Sequence, residues 1–143
     1  LDGGDDPNEV DEYGRNALHM AAMKGCRPPL FQRVVARIHD VNTVHKYGST
    51  ALMFAAANNQ LDVVISLMNH PGIDLNVQGG FFNRTVLHEA VIKNRAAILA
   101  QLLSDEKVNF RLEGRENKTP LKLAIFLERH ECVKILKAHG ATE

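Results

Sequence analysis

An all-α solenoid of stacked helix–turn–helix units with hairpin-like finger loops is the fold that this 143-residue sequence predicts. Leu18, Leu52, Leu87 and Leu121 recur at spacings of 34, 35 and 34 residues. Three residues after each leucine stands an alanine: Ala21, Ala55, Ala90 and Ala124. Further on come apolar pairs one helical turn apart, Val63-Val64 with Leu67-Met68 and Ile98-Leu99 with Leu102-Leu103. A period near 34 held four times is the mark of a repeat architecture.

The first helix of each unit starts at its Thr-x-Leu segment, with Thr50, Thr85 and Thr119 as N-caps and Pro120 suited to a first helical turn. The alanines line one side and let a neighbouring helix come close. The second helix carries a wide apolar stripe, continued in the last unit by Cys132-Val133 and Leu136. One helix pair cannot cover such a stripe, so the units must stack. Each unit closes on a short extended piece, Asp40-Val41-Asn42, Asp74-Leu75-Asn76 or Lys107-Val108-Asn109. A Gly or Asn then turns the chain back.

This pattern resembles the ankyrin repeat family over essentially all of residues 11–143. Asp11-Glu-Tyr-Gly14-Arg-Asn-Ala-Leu18-His19-Met-Ala21-Ala22 matches the family's D-x-x-G-x-T-P-L-H-x-A-A best, and His139-Gly140-Ala141 resembles its closing H-G-A. The family's glycine after the first helix stands here only as Gly25, with Asn59, Asn94 and Glu128 in the other units. The resemblance implies a single repeat domain over 11–143, with repeats at about 11–44, 45–78, 79–113 and 114–143. Residues 1–10 then form an acidic N-terminal linker or partial cap with little structure of its own. Pro28-Pro29 is expected to displace the second helix of the first unit to a start near Leu30. Counts from each Asn to the next turn residue, Asn42 to Gly48, Asn76 to Asn83 and Asn109 to Asn117, rise from six to seven to eight. The fingers are therefore expected to grow along the array.

His88-Glu89 begins like a zinc-protease helix, but a second histidine would be needed at position 92, which is Ile92. The family implies a structural role for His19 and His88, hydrogen-bonded to neighbouring backbone. His130-Glu131-Cys132 has no second cluster to complete a metal site. Cys26 and Cys132, three repeats apart, are beyond disulfide reach if units stack at the spacing of packed helices. Catalytic, cofactor and metal sites are all expected to be absent. A formal net charge of zero argues against a nucleic-acid partner. The charge is uneven, with six acids and no base in residues 1–12 and six bases against four acids in 114–143.

No apolar run nears the roughly 18 residues that span a bilayer, and no signal segment opens the chain. The start at Leu1 reads as an excised fragment, with any targeting signal outside it. Sparse cysteine fits a reducing compartment, the cytoplasm or nucleus, or a host cytoplasm for a pathogen effector.

The ankyrin family mostly binds other proteins, through finger tips and the inner face of the first helices. Carried onto this sequence, that implies tips at Tyr13 and Arg15, Lys46 and Tyr47, Phe81, Phe82 and Arg84, and Arg115, with Lys93 and Phe126 on inner helices. Tyr13, Tyr47 and Phe82 each precede a turn residue, and aromatics flanked by Arg and Lys have the composition of an interaction hot spot. Packing of the tyrosines between neighbouring fingers is the alternative. Exposed Phe126-Leu127 points to continuation of the array, a partner or another copy, whereas Lys134 and Lys137 point to a polar cap. The expected role is a non-catalytic, monomeric protein-binding scaffold with scope for weak self-association. Its alternatives are a substrate-recruiting or targeting domain of a larger enzyme or effector, and a self-associating spacer.

Overall fold

Side-chain caps set where the first helices begin. Asn16, Thr50, Thr85 and Thr119 hold extended backbone, and each side chain accepts the N–H three residues on, which satisfies one of the orphan donors of a helix start. The computed structural model describes residues 6–143; residues 1–5 of the expected acidic segment lie outside the described residues. It contains eight helices among the described residues: α1 Ala17–Lys24, α2 Pro28–Arg37, α3 Ala51–Ala57, α4 Leu61–Met68, α5 Val86–Ile92, α6 Ala96–Leu103, α7 Pro120–Phe126 and α8 His130–Ala138. No strand forms among these residues; one isolated antiparallel bridge joins Gly79 and Arg84. The fold is all-α, as the periodicity predicts. No described helix is long and apolar enough to cross a membrane.

The chain divides into two compact units, one ending at Ile73 and one spanning Asp74–Glu143. In the first, α1 packs on α3 and α2 on α4. Its core is built from Leu18, Ala22, Phe31, Val34, Leu52, Ala55, Val63, Val64 and Leu67. In the second, α5 packs on α7 and α6 on α8, around Leu87, Ala90, Val91, Ile98, Leu99, Leu102, Leu121, Ala124, Cys132 and Leu136. Alanine at the contact positions lets the paired first helices approach closely.

Two expectations need correction. Helix α2 begins at Pro28, not near Leu30, with both prolines in its first turn after the extended Arg27. At that position a missing N–H costs nothing, because the first-turn donors have no intrahelical acceptor. The fingers do not lengthen steadily either. Backbone pairs close them over 11–15, 45–49, 79–84 and 114–118. The third tip alone has an added residue, whereas the fourth finger's extra length lies in its stem, before Gly114.

Residues 6–8 carry repeat structure that the sequence reading left out. Asp6, Asp40 and Asp74 each accept, through Oδ1, the backbone N–H of the asparagine two residues on, at 2.9, 2.9 and 2.8 Å. Those asparagines, Asn8, Asn42 and Asn76, donate their amides to the carbonyls of Arg37, Gly72 and Lys107 at 2.9, 2.8 and 2.9 Å. Between them Pro7, Val41 and Leu75 are buried. The same device thus occurs one period before the first recognised copy.

The turn from first to second helix needs positive φ: +81° at Gly25, +59° at Asn59, +57° at Asn94 and +58° at Glu128. Asparagine tolerates this region; glutamate does so at a cost of about 1 kcal/mol. Glu128 also places a carboxylate at the C-terminal end of α7, the unfavourable end of its dipole. Glu128→Gly is expected to raise the free energy of unfolding by about 0.5–1 kcal/mol in urea titrations. An unchanged or lowered midpoint contradicts the strain assigned to this turn.

Candidate partner-binding tips

Each finger reverses at a residue of positive φ, Gly14, Gly48, Asn83 or Asn117, which throws the preceding residue to the rim. Those rim residues are Tyr13, Tyr47, Phe82 and Glu116. In the first unit the Lys46 N–H donates to the Tyr13 carbonyl at 2.7 Å and joins the two fingers. In the second unit the Arg115 N–H makes the same bond to the Phe82 carbonyl, also at 2.7 Å. A Cβ on Gly114 would stand 3.0 Å from the Phe82 carbonyl oxygen, a tight contact, although His45 carries a Cβ at the corresponding place of the first unit.

Around that bond the first unit gathers Tyr13, Arg15, Lys46 and Tyr47. The Arg15 guanidinium lies 4.8 Å from the Tyr13 ring centre and pairs with Asp11 at 2.7 Å; Lys46 Nζ lies 5.8 Å from the Tyr47 ring centre. An open pocket of about 140 Å³ is lined by Tyr13, Arg15, Tyr47, His45 and Phe54. His45 meets Phe54 and Tyr47 edge-on at 4.8 and 5.5 Å. Neither His45 nor Phe54 was singled out from sequence. The available signal was that His45 stands where the first repeat has Asp11. Both cap their finger, Asp11 by accepting the Arg15 N–H at 2.9 Å and His45 Nδ1 by accepting the Ser49 N–H at 3.0 Å.

The second unit gathers Phe81, Phe82, Arg84 and Arg115. Arg115 stacks over Phe81 at 4.1 Å and Arg84 over Phe82 at 4.2 Å, while the two rings meet edge-on at 5.0 Å. Arg84 also pairs with Glu116 at 3.1 Å. Phe126 enters through Lys118, whose Nζ lies 4.8 Å from its ring centre. Phe81, Phe126 and Tyr47 are 71%, 69% and 61% exposed, so these rings are not buried between fingers; Tyr13 and Phe82, at 40% and 41%, are intermediate in role. Lys93 sits apart, as the C-cap of α5 near Glu89. Burial raises the Glu89 carboxyl above its ordinary value, against the pull of Arg84 and Lys93. Six cations lie over ring faces among the described residues. Only Arg111 over Phe110 lies away from a finger tip or inner helix.

His19 and His88 face inward from the helices that carry these fingers, and both ring nitrogens of each are used. Nδ1 accepts the N–H of Asn16 or Thr85 at 3.0 Å. Nε2 donates to the carbonyl of Thr43 or Lys118 at 2.8 Å. No lone pair remains for a metal, and Ile92 occupies the position where a second ligand would stand. Burial lowers the affinity of both rings for a second proton, outweighing the acceptor carbonyls.

A family model described as ankyrin repeats (3 copies) matches residues 1–79 and again 72–142. An intracellular phospholipase A2 of Caenorhabditis elegans is 30% identical over 94% of the chain, which spans 13% of that protein. The ankyrin repeat protein YahD of Escherichia coli is 28% identical over 99% of the chain and 71% of its own length. A human photoreceptor ankyrin repeat protein is 42% identical over 52% of the chain and 18% of its own length.

Because folding depresses the two imidazole values, the unfolded chain takes up protons first as pH falls. Their contribution is complete above the unfolded value, about 6.5, and declines below it. The Hε1 resonance of His88 should titrate below that value, and the urea midpoint should fall between pH 7 and 5. Titration of His88 at or above 6.5 refutes the neutral, doubly bonded ring.

Proposed function

The chain belongs to the ankyrin repeat family, and from that membership we propose that it is a non-catalytic module that holds a partner protein at its finger tips. Ankyrin repeats generally mediate protein–protein interaction, and the family is generally non-catalytic. The supporting observation is the exposed pair Phe81-Phe82, backed by Arg115 and Arg84. Two rings held by stacked cations and by the bond between fingers are preorganised, so little side-chain freedom is lost on contact. Tyr13, Arg15, Lys46 and Tyr47 present the corresponding surface of the first unit, with the pocket beside His45. Two free thiols and the absence of a disulfide among the described residues suit a reducing compartment.

A second reading is recruitment, in which the module brings a partner to a catalytic domain of the same polypeptide. It is favoured by the likeness to the phospholipase, of which the matched segment is a small part. A catalytic domain in the reading frame that encodes these residues supports it; a frame without one removes it.

Photoreactive benzoylphenylalanine at position 81 is expected to crosslink the partner, and the same group at Lys134 on α8 is not. Phe81→Ala/Phe82→Ala should weaken partner binding at least about ten-fold with far-ultraviolet circular dichroism unchanged. Undiminished binding by that variant overturns the tip assignment. Light scattering should return a 15.9 kDa monomer; a dimer dispersed by Phe126→Ser would instead make Phe126 part of a self-contact.

A further inference from the structure

We propose that the tip of the second unit recognises an acidic stretch of its partner, one that carries an aliphatic or aromatic side chain among its carboxylates. The inference rests on the partner-binding reading above and names the chemistry of that partner. Glu116 is engaged by Arg84 at 3.1 Å and Glu113 by Lys122 at 3.8 Å. Glu89, raised by burial, feels the opposing charges of Arg84 and Lys93. The acids of the tip therefore have cations of their own.

Arg115 and Lys118 are left over. Both belong to the turn 114–118, closed by the Gly114 N–H on the Lys118 carbonyl at 3.1 Å. Each places its charge on a ring face, Arg115 on Phe81 and Lys118 on Phe126, and neither has a carboxylate partner among the described residues. A ring face holds a cation but supplies no counter-ion. A guanidinium stacked by its face keeps N–H donors at its rim, in the geometry a carboxylate accepts. One short turn thus presents two cations without anions, each bordered by one of the most exposed aromatic rings of the molecule. Carboxylates of a partner complete the two charges, and an apolar side chain covers the ring surface the cations leave open.

A nucleic-acid strand fits less well. Its phosphates would run past Glu113 and Glu116, and its bases would compete with Arg115 and Lys118 for the same ring faces.

The test is a random dodecapeptide phage library selected on the whole chain, with counter-selection on Arg115→Glu/Lys118→Glu. Selected peptides should be net acidic and contain Leu, Phe or Trp. Their affinity should drop about ten-fold on the double charge reversal and weaken with added salt. Changing the acids of a selected peptide to lysine should restore its binding to the Glu variant, which also shows that the variant is folded. Neutral or basic peptides that still need Phe81 and Phe82 overturn the acidic partner but leave the tip reading standing. Peptides indifferent to all four residues, or no enrichment over an unrelated protein, overturn both. Tighter binding of a twelve-nucleotide oligouridylate than of any selected peptide replaces the partner class with nucleic acid.

Discussion

Within each unit, a neutral imidazole ties three pieces of chain together, and the placement of the fingers depends on it. His88 closes the start of α5 through the Thr85 N–H and reaches the next finger through the Lys118 carbonyl. That carbonyl also accepts the Gly114 N–H that closes the finger. The residue whose backbone is held there carries the ammonium that stacks on Phe126. A buried structural bond and an exposed recognition group thus belong to the same residue, Lys118. His19 does related work with a different acceptor, the carbonyl of Thr43 in the finger stem. The tip of that second finger is capped by another ring, His45.

The clasp functions only with one proton on the ring. A second proton on Nδ1 would face an N–H donor with another donor and would bring a charge into a buried site. Burial at His19 and His88 and the close-packed alanines of α1, α3, α5 and α7 are linked for this reason. Small side chains bring the helices close enough to exclude water from the imidazole, and exclusion of water keeps it neutral. The fingers then stand on a rigid base, and the backbone bonds from Lys46 to Tyr13 and from Arg115 to Phe82 fix their spacing.

Much of this was legible in the sequence because a repeat writes its local chemistry several times. The caps Thr50, Thr85 and Thr119 were readable from residue type and position, and so were the turns at Gly14, Gly48, Asn83 and Asn117. Helix α2 was misplaced because steric exclusion of proline was applied to a first turn that accepts it. The Asp-x-Asn device at residues 6–8 was hidden by Pro7, which fills the place of Val41 and Leu75. The tip contacts were missed for another reason. Arg115 and Phe81 are 34 residues apart, and local patterns do not pair residues at that distance. The repeat does, since residues one period apart lie on adjacent fingers. Tyr13 with Tyr47 and Phe82 with Glu116 follow the same spacing.

The positions that depart from the repeat are those that give the tips their chemistry. Core sites such as Leu18, Leu52, Leu87 and Leu121 face neighbouring helices and tolerate little change in volume. Tip residues face solvent and carry no such constraint, so their identity is free to follow a partner. The added residue in the finger over 79–84 puts Phe81 beside Phe82, and one of two adjacent rings cannot share the other's position. Phe81 therefore stands outward, steadied by Arg115 from the next finger and by the edge of the Phe82 ring. Replacement of an Asp by His45 in the first unit similarly exchanges a charged cap for an aromatic wall. Fold and specificity thus occupy different residues of the same motif, and a likeness in the first carries no information about the second.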